Sequence, residues 1–222
     1  MTATMTRLQH DRFEQWFWGT CTNTFGEELK QVEYAKLMGM QLQSEPGGQW
    51  RKCYDVQGHS LIDFGGGPAS LLLKVVNWSG RLAVVDPGVY PDWITTRYDC
   101  ASIDYYREPS ETFQTDYIYD EALSYNVLQH VSDPLACVRT MQRSARMIRF
   151  FDWIEYPAEL GHPNELHADE LDEWFGMEGS VARVRGDFTL EAMERDEAPR
   201  KRKNYRGDLK GSLLVYYGVF PA

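Results

Sequence analysis

The chain has 222 residues, of which 43% are hydrophobic and 25% are charged, and its formal net charge is −10. These values are typical of a globular protein with one full-sized core. The acidic balance argues against a general nucleic-acid-binding protein, which would need a basic face.

The four cysteines are far apart in sequence and form no CxxC pair; they are Cys21, Cys53, Cys100 and Cys137. Their spacing predicts reduced thiols in a cytoplasmic protein rather than a zinc site or a disulfide framework. The N-terminus carries no long apolar run, so neither a signal peptide nor a membrane span is expected.

Two helices are predicted in the first 48 residues. The first has an aromatic face formed by Phe13, Trp16 and Phe17. The second begins with the form of a capping box, and its apolar stripe comprises Phe25, Leu29, Val32 and Leu37. Two interpretations stay open: these helices cover one edge of a sheet, or they form a lid over a ligand, since small polar residues interrupt the aromatics at 18–24.

A domain boundary is expected at the loop formed by residues 45–48, Glu-Pro-Gly-Gly. It separates an N-terminal helical cap or lid, residues 1–48, from the main domain, residues 49–222.

A strand–turn–helix–strand unit is predicted at residues 60–87. The buried strand Leu61–Phe64 stops at three glycines, Gly65, Gly66 and Gly67. Apolar residues at helical spacing then predict a helix that ends between Asn77 and Gly80; they are Leu71, Leu72, Val75 and Val76. A second strand, Leu82–Val85, ends in Asp86.

This unit indicates a nucleoside ligand. Glycines let the backbone approach a ligand closely. Asp86 follows Gly67 by nineteen residues (86 − 67), near the roughly twenty expected for an acid that accepts ribose hydroxyls.

Asp63 indicates which nucleoside. A carboxylate beside the glycine turn would repel a pyrophosphate and attract a cation such as a sulfonium carrying an ammonium group. The sequence Asp63-x-Gly65-x-Gly67 resembles motif I of the class I S-adenosylmethionine-dependent methyltransferases, although Ala69 stands where that family often has a third glycine. The alternative is that Asp63 only caps the turn.

A second segment carries the same resemblance. Residues 120–131 are similar to the family's fourth strand and the turn that follows, which ends in Leu-x-His at Leu128 and His130. The alternation of strands and helices predicts an α/β fold with a largely parallel sheet. The resemblance, over residues 55–220, implies a Rossmann-like, seven-stranded, mostly parallel sheet with its last strand antiparallel and helices on both faces, preceded by the N-terminal helices.

The resemblance implies S-adenosyl-L-methionine as cofactor and S-adenosyl-L-homocysteine as product. The expected cofactor-binding residues are Asp63, Gly65, Gly66, Gly67, Asp86, Pro87, Asp104, Ser124, Tyr125 and Asn126. Two choices stay open: Glu108 competes with Asp104 for the place near the adenine amine, and Tyr125 could be ordinary packing.

The remaining elements follow in order. A third strand is expected within residues 99–107, a helix from Pro134, and a fifth strand at 147–153 with Arg149 and Asp152 at its ends. A loop at 155–165, a helix after His167 and strands at 181–184 and 213–220 complete the chain.

Three histidines are candidates for a base that accepts a proton from the acceptor, namely His130, His162 and His167. Each also has a structural explanation, from shaping a loop to capping a helix. Glu165 and Asp169 lie near two of them, but the spacing is weak evidence for metal binding, so no metal is predicted.

The sequence therefore predicts a methyltransferase that acts on an O or N atom of a small-molecule acceptor. A non-catalytic nucleoside- or partner-binding protein is the alternative, and a nicotinamide-dependent oxidoreductase is disfavoured by Asp63. The basic run 200–206 is either a solvated hairpin or a site for an acidic or phosphorylated partner.

Overall fold

The computed structural model describes residues 7–21, 24–44, 52–159, 161–184, 190–192 and 213–222. The predicted boundary loop at 45–48 and the basic run at 200–206 lie outside these residues. The division at residue 48 therefore stays a prediction.

The described chain contains five α-helices, one 3₁₀ helix and eleven strands. The helices α1 to α5 are Arg7–Gly19, Thr24–Leu37, Asp92–Cys100, Pro134–Ser144 and Ala168–Phe175, and the 3₁₀ helix η1 is Leu71–Lys74. The strands β1 to β6 are Gln41–Ser44, Lys52–Asp55, Leu61–Phe64, Val75–Val76, Leu82–Val85 and Ile103–Tyr106. The strands β7 to β11 are Tyr119–Tyr125, Ala145–Ile154, Ser180–Val184, Leu190–Ala192 and Leu213–Pro221.

The main sheet has the strand order β10-β9-β11-β8-β7-β3-β5-β6. The five strands β8, β7, β3, β5 and β6 are mutually parallel, whereas β11 is antiparallel to both β8 and β9. The predicted α/β fold and its seven mostly parallel strands are thus confirmed. Three-residue β10 adds an eighth strand beside β9. A second small sheet joins β1, β2 and β4.

Side chains alternate between two cores because parallel strands are covered on both faces. Ile62 and Phe64 pack against residues of α4 and α5, whereas Leu61 packs against residues of α2, η1 and α3. No helix in the described part of the chain combines the length and apolarity needed to span a membrane.

The prediction of a helix after the glycine turn is wrong. The chain forms only the 3₁₀ turn Leu71–Lys74, and Val75 and Val76 then pair with Tyr54 and Asp55 of β2. The apolar spacing suits both outcomes, and β-branched valines favour the extended one.

Arg149 and Asp152 lie inside β8 rather than at its ends. The Arg149 guanidinium donates to both carboxylate oxygens of Glu121, at 2.5 and 3.0 Å, and to the carbonyl of Met38. Asp152 is buried and accepts hydrogen bonds from two backbone N–H groups. Charges that are paired or hydrogen-bonded in this way are tolerated in a buried strand.

Both N-terminal helices are confirmed, but the predicted stripe of the second is wrong at Leu29, which is 62% exposed. Its buried face instead comprises Gln31, Tyr34, Ala35 and, just past its end, Met38. Trp16 on α1 is 68% exposed. We refer to α1 and α2 together as the N-terminal cap.

Candidate functional site

A cavity of about 450 Å³ lies at the carboxyl ends of β3, β5 and β7. The chain reverses its direction of strand addition between β3 and β7, which is where open α/β sheets bind ligands. The N-terminal cap contributes walls through Glu14 and Gln15 of α1 and Gln31 of α2. The volume falls within the range of roughly 300–1,000 Å³ found for small-molecule sites.

The cavity brings together eight of the residues predicted from the sequence. These are Gly65, Gly66, Gly67, Asp86, Pro87, Tyr125, Asn126 and His130. Five others lie outside its lining: Asp63, Asp104, Ser124, His162 and His167.

The glycine turn packs tightly against the layer beneath it. Gly65 has φ +77°, and a Cβ there would lie 2.5 Å from Cγ2 of Val127. A Cβ on Gly66 would lie 2.6 Å from Oδ2 of Asp63. The absence of side chains lets this turn sit directly on the strand ends, so its backbone faces the cavity.

Asp63 supports the turn from below instead of reaching the cavity, because it is fully buried. Its Oδ2 accepts hydrogen bonds from Oγ of Ser70 at 2.6 Å and the hydroxyl of Tyr125 at 2.7 Å. The same Tyr125 hydroxyl accepts from the backbone N–H of Leu71 at 2.9 Å. This network holds the start of η1 against β3 and β7.

Burial raises the pKa of Asp63 to about 7, an effect that the hydrogen bonds from Ser70 and Tyr125 oppose. Asp63 therefore does not lie where it could contact a cationic ligand in the cavity, contrary to the prediction from the sequence. Its role in the structure is to position the turn.

Asp86 lies at the end of β5 and borders the cavity. Its Oδ2 accepts from the N–H of Gly67 at 3.0 Å, and its Oδ1 accepts from the N–H of Gly88 and the hydroxyl of Tyr90, both at 2.8 Å. Burial raises the pKa of Asp86, and these three hydrogen bonds act against that rise. The acid is thus fixed against the glycine turn.

Neither of the two acids predicted to lie near an adenine amine borders the cavity. Asp104 is half-exposed and pairs with Arg81 at 3.5 Å, and Glu108 lies outside the cavity lining. Glu111 is the acid that borders the cavity after β6, and it accepts from the N–H of Ser132 at 2.6 Å. Ser124 is fully buried within β7.

The predicted histidines separate into two groups. His130 borders the cavity, with its Nδ1 3.3 Å from Oε1 of Glu14, and the rings of His130 and His162 lie 4.7 Å apart. His167 belongs to a different cluster, where its Nδ1 is 2.9 Å from Oε1 of Glu155.

Electrostatics differ between these rings. Burial lowers the pKa of His130, but the Glu14 carboxylate, together with Asp152 and the Gly161 backbone, raises it by more, so the pKa is raised overall. The pKa of His162 is lowered by burial and by the adjacent His130.

The N-terminal cap supplies cavity residues that the sequence did not reveal. Gln15 exchanges hydrogen bonds with the backbone of Val89, at 2.6 and 3.1 Å. Gln31 donates to the carbonyl of Ala69, two residues after the glycine turn. His10 and Glu14 of α1 also line the cavity. Their i, i+4 spacing, which places both on one helical face, is the only sign in the sequence that this helix contributes to a site.

No family model matches the sequence, and no curated protein matches it. Solved structures match its fold. The proposed methyltransferase in complex with the Haloferax volcanii Trm112 methyltransferase activator matches with a TM-score of 0.57 and 15% identity, over 92% of this chain and 96% of that chain. The N-methyltransferase NodS of Bradyrhizobium japonicum matches with a TM-score of 0.50 and 13% identity, over 88% and 97% of the two chains.

A coclaurine N-methyltransferase bound to N-methylheliamine and S-adenosyl-L-homocysteine also matches, at 16% identity and a TM-score of 0.42; this chain spans only 35% of its length. That match is too distant to add to the fold assignment. The two longer matches show that the chain has the fold of the class I methyltransferases.

Proposed function

We propose that the protein is an S-adenosyl-L-methionine-dependent methyltransferase that methylates an O or N atom of a small-molecule acceptor. The observation that carries this proposal is the convergence of the Gly65–Gly67 turn and Asp86 on one cavity at the switch point of a methyltransferase fold.

The cavity residues fit such a cofactor. A carboxylate has about four acceptor positions, and the described contacts of Asp86 fill three, so one remains for a ribose hydroxyl. The turn offers backbone without side chains, and Pro87 and Asn126 extend the walls on either side. Asp104 and Ser124 are not part of the proposed site because of where they lie.

The cofactor supplies a methyl group already activated on a sulfonium, so the protein needs chiefly to align the acceptor and exclude water. The N-terminal cap covers the cavity through Gln15 and Gln31. Asp63 and Tyr125 fix the turn on which alignment depends.

The acceptor end of the cavity is proposed to lie beside His130 and Glu14. Of the three candidate histidines, only His130 borders the cavity. His162 stands behind it, and His167 is paired with Glu155 in its own cluster. We therefore assign acceptor contact to His130 and not to His167.

A non-catalytic nucleoside-binding protein is the second candidate. A 3₁₀ turn replaces the predicted helix after the glycines. The Tyr90 hydroxyl also donates a hydrogen bond to Oδ1 of Asp86, and so fills one of its acceptor positions. Both observations would suit a site that has lost turnover.

Calorimetric titration with S-adenosyl-L-methionine, S-adenosyl-L-homocysteine and NAD tests the cofactor, and formation of S-adenosyl-L-homocysteine with an acceptor library tests turnover. We expect the first two ligands to bind and NAD not to bind. Binding without turnover on any acceptor would favour the second candidate, and failure of both sulfur ligands to bind would overturn the proposal.

A further inference from the structure

Two histidines and a carboxylate converge at one end of the cavity. His10 and Glu14 lie one turn apart on α1, and His130 comes from the turn after β7, 120 residues away from His10 in sequence. All three side chains border the cavity. One ligand atom from each lies within 4.8 Å of the other two.

Backbone groups orient both imidazole rings. Nε2 of His10 lies 2.9 Å from the carbonyl oxygen of His130; a carbonyl only accepts, so Nε2 carries the proton and Nδ1 carries the lone pair. The His130 side chain also hydrogen-bonds the backbone of Gly161. Histidines that ligate metals typically donate their other ring N–H to a carbonyl or carboxylate in this way, which fixes the tautomer.

The spacing is close to that of a coordination sphere. Ligands at about 2.0–2.2 Å from a tetrahedral ion lie roughly 3.4 Å from one another. Nδ1 of His130 and Oε1 of Glu14 are 3.3 Å apart. The remaining ligand atom, from His10, lies within 4.8 Å of both.

We propose that His10, Glu14 and His130 bind a divalent transition-metal ion of the zinc and iron(II) class. Imidazole nitrogens favour these ions over Mg²⁺ and Ca²⁺, which prefer oxygen ligands. Two histidines and one carboxylate leave coordination positions open, as in catalytic metal sites. Because the three residues border the cavity, an ion that they held would be accessible from it.

A consequence for the acceptor rests on the proposed methyl transfer. An ion at this end of the cavity would ligate a hydroxyl or carbonyl oxygen of the acceptor and lower the pKa of a ligated hydroxyl. The acceptor class would then be a molecule that presents an oxygen donor at this end of the cavity.

The protein offers a matched control for this site. Glu155, Glu165 and His167 form a second cluster with one ligand atom each within 4.8 Å. It has one nitrogen donor instead of two, and His167 lies outside the lining of the cavity. His167→Gln therefore removes a histidine from a comparable cluster and leaves the proposed site intact.

The test is Zn²⁺ titration by calorimetry on the chelator-treated full chain, with the visible absorption of bound Co²⁺ as a second readout. We expect one ion per chain and a Co²⁺ spectrum without a thiolate charge-transfer band, because the proposed ligands are nitrogen and oxygen. His10→Gln keeps an N–H donor for the His130 carbonyl but removes the ligating nitrogen. It and Glu14→Gln should each weaken Zn²⁺ binding by more than the roughly 10–100-fold that loss of a ligand's hydrogen-bonding partner causes.

Circular dichroism and thermal unfolding identify any variant that fails to fold, and the pair of variants on α1 keeps the test valid if one does. Absence of Zn²⁺ binding would overturn the proposal and leave Glu14 and His130 as an ion pair. Loss of binding in His167→Gln with retention in His10→Gln would also overturn it. Zinc binding is measured without the cofactor, so a failure of methyl transfer would not alter its outcome.

Discussion

The Tyr90 hydroxyl donates a hydrogen bond to Oδ1 of Asp86, with 2.8 Å between the two oxygens. The N–H of Gly88 shares that oxygen, and the N–H of Gly67 binds Oδ2. A ribose diol that donates both hydroxyls needs two acceptor positions. The Asp86 carboxylate has about four, and the three described donors leave about one. Tyr90 is the partner that a side-chain rotation can remove, since the other two are backbone groups.

Tyr90→Phe is therefore expected to tighten binding of S-adenosyl-L-homocysteine. It removes a competing donor and keeps the aromatic ring. A net hydrogen bond contributes about 0.5–1.5 kcal/mol, which corresponds to a roughly 2- to 10-fold lower Kd. Calorimetric titration measures the change. Weaker binding would mean that the hydroxyl contacts the ligand and does not compete with it.

Asp86→Ala should remove most of the cofactor affinity. The substitution deletes charge-assisted hydrogen bonds worth on the order of 2–4 kcal/mol, or about 30- to 1,000-fold in Kd. Asp104→Ala is the control, because Asp104 sits on the neighbouring strand and pairs with Arg81 outside the cavity. Equal Kd values for the two folded variants would contradict the assignment of Asp86.

Asp63 should give folding stability an unusual pH dependence. Its folded pKa of about 7 lies above the ordinary 3.8, so the folded state binds more protons than the unfolded state between these values. The stabilisation is complete below about pH 4 and is lost as the pH rises through about 7, by an amount on the order of 4 kcal/mol.

Asp63→Asn mimics the protonated form, since its amide oxygen can still accept from Ser70 and Tyr125. Urea unfolding of both proteins from pH 4 to 8 measures the difference. The fall in the free energy of unfolding should be smaller in the variant. Burial also raises the pKa of Asp152, to about 6, so part of the fall should persist. Parallel profiles would show that Asp63 is ionised throughout.

Gly65→Ala should destabilise the protein for two separable reasons. Its φ of +77° disfavours a side chain, and the new Cβ would meet Val127 at 2.5 Å. Gly176 has φ +68° with nothing within 4 Å of a Cβ, so Gly176→Ala measures the backbone cost alone. We expect about 1–2 kcal/mol for Gly176→Ala and about 2–4 kcal/mol for Gly65→Ala. Equal losses on urea unfolding would show that the turn relaxes away from Val127.

Strands were predictable because burial on both faces leaves largely apolar runs such as Leu82–Val85 and Leu61–Phe64, the latter interrupted only by Asp63. The structure of the segment after the glycines was not predictable in this way. Its apolar spacing suits a helix as well as a 3₁₀ turn followed by a strand, as the positions of Leu71, Leu72, Val75 and Val76 show. Pairing with β2 decides between these, and a single sequence does not encode that contact locally.

The site residues also divide into those that strand topology places and those that only tertiary packing places. Gly65, Asp86 and Asn126 follow strands, and parallel strands bring their carboxyl ends to one edge, so topology alone places them together. His10 reaches His130 only through packing of α1 across the cavity. The position of Asp63 likewise depends on tertiary packing. It is buried beneath the turn, where Ser70 and Tyr125 donate hydrogen bonds to its carboxylate, so it supports the turn and does not line the cavity.

The N-terminal cap should exchange amide hydrogens more slowly when S-adenosyl-L-homocysteine binds. Gln15 of α1 and Gln31 of α2 join the cap to Val89 and Ala69, on two sides of the cavity. A ligand between these sides adds contacts to both helices and reduces their local opening. Hydrogen exchange of peptides from residues 10–40 measures this, and peptides from α4, on the opposite face of the sheet, should not change. Equal exchange in the cap with and without ligand would leave α1 and α2 as a cover for the sheet edge rather than a lid.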